Sequence, residues 1–166
     1  MPCNCILDKP LYPRNEEWGP LLWWILHTLA DKAGRQTNAI TLGDEQRAWP
    51  LFLKELASVI PCPYCRDHFL DYQKTTPFVL PADYFEWKTY IPEYFYLLHE
   101  SVNQRLGKPS FPRETLSQSY KSTAALKDTL ARLDTVVMRA VKMGGMSLFN
   151  YRAWVKHLNM LRAAIL

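Results

Sequence analysis

No stretch of this chain stays apolar for long. The longest run, Leu21 to Leu26, falls far short of the roughly 20 residues a membrane-spanning helix needs, so no membrane insertion is expected. The opening Met1-Pro-Cys-Asn-Cys-Ile-Leu-Asp-Lys-Pro has no signal-peptide core, and a soluble, unsecreted protein is the expectation. Segments of strand period, internal repeats and low-complexity tracts are also missing, which argues against sheets and solenoids. There is no Gly-x-Gly-x-x-Gly, so a dinucleotide on a Rossmann scaffold is unsupported. Lysine and arginine never form a run, and no nucleic-acid partner is expected. Cysteine is scarce: four in all, as Cys3-Asn4-Cys5 and Cys62-Pro63-Tyr64-Cys65. None is left over for the disulfide framework of a small secreted domain.

What is present is helical. With 166 residues and 48% hydrophobic content, the chain is long enough for one real core and short enough for one domain. Leu22, Trp23, Leu26, Leu29 and Ala30 recur at helical spacing after Trp18-Gly19-Pro20, predicting a first helix to about Lys32 with Pro20 in its first turn. Trp49, Leu53, Leu56 and Ile60 mark a second helix, opened by Thr41 with Asp44 or shifted to about Trp49 by Pro50. A third runs from Cys62 or Pro63 to Lys74. Pro92 should divide 82–106 into a short helix and a long one, stopped by Gly107 and Pro109. Beyond Pro112, apolar spacing predicts helices over 123–143 and from about Tyr151 to the end. The fold class is therefore all-α, a bundle of about four helices with additional C-terminal helices. Residues 1–17 read as a flexible arm, 18–121 as the main domain, and 122–166 as an extension packed on it or dimerising it. Charge follows that division: residues 113–166 hold nine Lys or Arg against three acids, while the whole chain carries only +4.

Two residues between Cys62 and Cys65 is the spacing at which one turn of chain lets two thiols form a reversible disulfide or grip a metal together. At a helix N-terminus both sulfurs meet the positive end of the dipole, which favours thiolate and therefore exchange or electron donation. Redox chemistry is the sharper reading; structural zinc and an inert pair are the others. Trp23 and His27 share one helix face, as do His99 and Asn103, and two such faces would sandwich a flat ring. Lys108, just past a helix end, suits a phosphate. Cys-Pro-Tyr-Cys is also a glutaredoxin sequence, but that family sets it after a strand.

Three stretches together resemble the Erv/ALR family of FAD-linked sulfhydryl oxidases: Trp18-Gly19-Pro20-x-x-Trp23-x-x-x-His27-Thr28-x-Ala30, Pro61-Cys62-x-x-Cys65, and His99-x-x-Val102-Asn103-x-x-Leu106-Gly107-Lys108-Pro109-x-Phe111. The resemblance implies a helical bundle with FAD at its mouth, contacted by Trp23, His27, Cys65, His99, Val102, Asn103, Leu106 and Lys108, with Tyr120 and Lys121 toward the adenine. It implies that Cys62 and Cys65 are catalytic, with no metal. A partner dithiol attacks Cys62, the more exposed sulfur, Cys65 donates toward the flavin, and oxygen is reduced to hydrogen peroxide. Cys3 and Cys5 suit a shuttle dithiol, serving protein substrates or a thioredoxin-like intermediary. The resemblance further implies a homodimer, and the sparing use of cysteine resembles members encoded by large DNA viruses, which would place the protein in host cytoplasm or virion. The competing reading is a zinc-stabilised helical interaction module.

Overall fold

Helix α1 spans Asn15–Lys32 and opens on a turn closed by its own acid: the Arg14 amide donates to Glu17 Oε2 at 2.9 Å. Glu16 and Glu17 in the first turn complement the positive end of the helix. The computed structural model describes residues 12–166, so Cys3 and Cys5 lie outside the described residues. Because α1 begins at Asn15, residues 15–17, expected outside the helix, are part of it, and Pro20 sits one turn further in than expected. The helix runs through it.

After α1 the chain reverses at Gly34, whose φ of 64° is open to glycine. A Cβ there would come within 2.8 Å of the Lys88 backbone nitrogen, so the turn presses directly on the next layer. The wholly buried Glu45 holds the turn, its Oε1 accepting from the Gly34 amide at 2.8 Å and from the Trp49 indole at 3.0 Å. Helix α2, Ala39–Leu56, is capped by Asn38, whose side chain accepts from the Ile40 amide, and not by Thr41. Pro50 does not divide it, because Trp49, Phe52, Leu53 and Leu56 are buried on both sides of the proline. A 3-10 turn, Ala57–Val59, leads to α3, Pro63–Thr75, with Cys62 as N-cap, Pro63 in the first turn and Phe69 inward.

Helix α4, Trp87–Arg105, is one helix where two were expected. Trp87 and Ile91 before Pro92, and Tyr94, Phe95 and Leu98 after it, are buried as one stripe, which offsets the hydrogen bond lost at proline. It touches each of the first three helices: α1 along its length, α2 through the Trp49 and Phe95 rings 5.9 Å apart, and α3 through Tyr72 and Tyr94. The described residues contain no strand, and the all-α expectation holds.

A short helix α5, Leu116–Tyr120, returns the chain to α1, where Ser117 donates to Asp31. Helices α6, Leu126–Lys142, and α7, Leu148–Ile165, then cover the bundle: α6 lies along α1 and α7 along α2. Leu133, Val137 and Ala140 are fully buried on α6, as are Trp154, Leu158 and Leu161 on α7, where Trp154 stands 5.6 Å from Phe52 between ring centroids. Arg139 of α6 pairs with Glu17 of α1.

Candidate redox site

Two hydrogen-bonded devices build the site at the start of α3. Arg66 donates to the Ala57 carbonyl at 3.2 Å and the Ile60 carbonyl at 2.9 Å, fixing the segment that enters the helix. Cys62 then serves as N-cap, its sulfur accepting from the Cys65 amide at 3.2 Å. The two cysteines form a disulfide with Cα atoms 5.2 Å apart. Both sulfurs therefore sit at the positive end of α3, where a released thiolate is stabilised.

Their exposure is the reverse of the expectation. Cys62 is only 4% exposed, because Val59 to Cys62 is a continuous buried segment, while Cys65 is half-buried and opens into a cavity. That cavity, about 420 Å³, lies between the start of α1, the first turns of α3 and the second half of α4. Trp18, Gly19, Trp23, Phe69, Leu98 and Val102 make its wall largely apolar; Arg105 and Lys108 bring positive charge, and Glu16 and Asn15 stand at the α1 end. Asn15 Oδ1 lies 3.8 Å from Cys65 Sγ.

One side of the cavity is a run of rings. Trp23 lies flat on His99, centroids 3.9 Å apart and planes 6° from parallel; His27 Nε2 and His99 Nδ1 share a hydrogen bond of 2.9 Å; His27 in turn stacks on Tyr120 at 4.7 Å. Burial, and then the neighbouring His99, push the His27 pKa down to about 3, and burial brings His99 down to about 4. Both imidazoles are neutral at pH 7, so one donates to the other. Lys108 is set by a helix stop: Gly107 takes φ 64°, its amide bonds the Gln104 carbonyl at 3.2 Å and the Lys108 amide bonds the Asn103 carbonyl at 2.9 Å. Among the described residues no three His, Cys, Asp or Glu groups are placed to hold a metal.

The sequence pattern of the Erv1 / Alr family matches residues 20–121, well over half of the chain. The chain belongs to the Erv1 / Alr family. A protein of Invertebrate iridescent virus 6 named as an FAD-linked sulfhydryl oxidase is 30% identical over 108 residues, which cover 63% of this chain and 92% of that protein. An FAD-linked sulfhydryl oxidase of Oryza sativa subsp. japonica is 30% identical over 108 residues, 64% of this chain but only 50% of its own length. A third, from Invertebrate iridescent virus 3 and likewise named, is 30% identical over 106 residues, covering 63% of this chain and 66% of its own. No solved structure gives a significant match.

Within this Erv1 / Alr domain, Trp23, Cys65, His99, Val102, Asn103, Leu106, Lys108 and Tyr120 all line the one cavity. His27, 3% exposed, stands behind His99, and Lys121 stays outside, its carbonyl accepting from Lys32. The expected sandwich is absent: Trp23 and His99 touch face to face, and no third ring fits between them. Trp18 and Arg105 in the cavity wall were not among the expected site residues, and three further contributors also escaped the sequence reading. Gly19 is buried in the wall with nothing within 4 Å of where its Cβ would stand. Glu100 Oε1 accepts from Asn103 Nδ2 at 3.0 Å and from the Phe111 amide at 3.1 Å, tying the cavity wall to the chain beyond Lys108. His68 lines the cavity one turn after Cys65; that spacing was the available signal.

Proposed function

We propose that this protein is an FAD-dependent sulfhydryl oxidase that makes disulfide bonds in protein substrates. The observation that carries the reading is a Cys62–Cys65 disulfide at a helix N-terminus with Cys65 in the wall of an aromatic cavity that has cations beside it. The residues present suit FAD. Trp18 Nε1 is a buried donor on the cavity without a partner, Gly19 leaves its backbone side open, and Arg105 and Lys108 supply charge for a diphosphate. Trp18, Trp23, His99, Asn103, Lys108 and Tyr120 would hold it. When bound, FAD takes the electron pair of the two cysteines and passes it to molecular oxygen, with hydrogen peroxide as product.

The chain's own part is thiol exchange. A substrate thiolate attacks the disulfide, the second substrate thiol resolves the mixed disulfide, and Cys62 and Cys65 are left reduced by two electrons. Cys65 faces the cavity, so Cys62 is the sulfur left for the substrate, and its buried cover over Val59 to Pro61 must give way when a partner docks. Tyr64, 77% exposed between the cysteines, is the side chain such a partner meets first. Cys3 and Cys5 fit a shuttle that relays electrons from bulky proteins or a thioredoxin-like intermediary. Cys5 precedes Asn15 by about ten residues, which reach up to about 35 Å when extended, and Asn15 is rooted beside Cys65. No helix of the described residues is long and apolar enough to cross a membrane. The two iridescent-virus relatives support a viral origin, and a place in host cytoplasm or virion is proposed from that origin alone. A homodimer would have to use surface other than the faces of α1 and α2 already taken by α6 and α7.

Purified protein should be yellow, with flavin absorbance near about 450 nm, and should consume oxygen when given dithiothreitol. Colourless protein that cannot be loaded with FAD refutes the reading. Stoichiometric zinc in its place supports the interaction module.

A further inference from the structure

On α3, Cys65 and His68 are three residues apart and both line the cavity; at that spacing Cβ atoms on a helix stand about 5–6 Å apart on one face. The hydrogen bonds across to α4 decide which ring nitrogen of His68 is free. The Ser101 hydroxyl donates its single proton to the Leu98 carbonyl at 2.7 Å. Its oxygen can then only accept from His68, whose Nε2 lies 3.1 Å away. The proton of the neutral imidazole is therefore held on Nε2, and Nδ1 keeps an open lone pair.

The surroundings keep the ring neutral before a thiol forms, so its lone pair is free. Burial lowers the pKa of His68, Arg105 of α4 lowers it further, and Asp71 on its own helix works the other way. His99 and Lys108 on the α4 side and Glu16 of α1 share the cavity. Arg66 is turned away, bonded to the Ala57 and Ile60 carbonyls.

We propose that His68 is the proton acceptor for the Cys65 thiol. The proposal rests on the oxidase reading. Exchange with a substrate dithiol gives the substrate disulfide and moves two electrons and two protons onto the Cys62–Cys65 pair. One proton stays on Cys62 as thiol; the other passes from Cys65 to His68 Nδ1. The result is a Cys65 thiolate facing the cavity beside an imidazolium, the form of sulfur that donates electrons. When the pair is reoxidised to the Cys62–Cys65 disulfide, the thiol proton of Cys62 and the proton held on His68 would leave with the two electrons, and both protons end in the hydrogen peroxide that FAD would form from oxygen.

The test measures the thiol itself. In FAD-loaded full-length protein carrying Cys62→Ser, iodoacetamide alkylation of Cys65 is followed against pH by mass spectrometry of its tryptic peptide, with and without His68→Gln. Glutamine can still donate to Ser101 but takes no proton. The midpoint of alkylation should rise by about one pH unit or more in His68→Gln, slowing alkylation about tenfold at pH 6.5, with an unchanged plateau at high pH. Ser101→Ala, which releases the tautomer, should move the midpoint the same way by less, and provides the same reading if His68→Gln does not fold. Equal midpoints overturn the proposal, whether or not the plateau moves, since a changed plateau alone means that His68 only shapes access. Loss of the flavin band bears on the oxidase reading instead, and the alkylation midpoint can be read in colourless protein.

Discussion

Acidification from pH 7 to pH 5 should cost the fold about 2 kcal/mol at His27 alone. In the folded chain this imidazole is buried against His99 and Tyr120 and its pKa is lowered from 6.5 to about 3. The unfolded chain therefore takes up a proton near pH 6.5 while the folded one does not. Stability is fully present above the unfolded value and is lost as pH falls from about 6.5 toward 3, at up to about 1.36 kcal/mol per pH unit. Over the 1.5 units from 6.5 to 5 this is about 2 kcal/mol, and the figure does not depend on how far below 5 the folded value lies. His99, lowered to about 4, acts in the same direction. Glu45 opposes them, since burial raises its carboxyl and acid then favours the folded form. The assay is urea unfolding at pH 7 and pH 5 for the native chain and for His27→Gln, which keeps a donor toward His99 but does not titrate. The native chain should lose about 2 kcal/mol more than the variant between the two pH values. Parallel losses would show that His27 is protonated within the fold and that the buried ring run does not exclude charge.

Gly19→Leu should leave α1 folded, because nothing stands within 4 Å of the new Cβ, yet should fill the cavity and weaken FAD retention at least tenfold, read by flavin absorbance after gel filtration. Trp154→Ala should destabilise the chain by about 3–5 kcal/mol in denaturant unfolding, since its ring is buried against Phe52 between α7 and α2. Replacing Cys3 and Cys5 together by serine should leave dithiothreitol oxidation within about twofold of the native rate and slow oxidation of a reduced protein severalfold; equal loss with both substrates would remove the shuttle role.

Much of the site was legible because its residues repeat at helical spacing. Trp23 and His99 project from one face each of α1 and α4, and Gly107 announces the stop that turns Lys108 back. Three prolines misled in the same way. Pro20 and Pro50 were expected at or near a helix start and Pro92 at a division, because a local reading sees only the hydrogen bond that proline removes, but each helix runs through its proline with apolar residues buried on both sides. That gain belongs to the tertiary fold and leaves no mark at the proline. The exposure of the disulfide was misread for a related reason: an N-cap side chain folds back over its own turn, and only the packing of Val59 to Cys62 reveals that Cys62 is covered. His68 and Glu100 were missed because their meaning lies with remote partners, the Ser101 hydroxyl and the Phe111 amide.

Helices α6 and α7 lie beyond the family match at residues 20–121, and they seal the far sides of α1 and α2 with the chain's own residues. A lid joined by peptide bonds has no dissociation constant. The apolar flank of the redox core therefore stays shielded at one molecule per compartment as well as at millimolar levels, and Arg139 pins the start of α1 beside Cys65 without waiting for a collision.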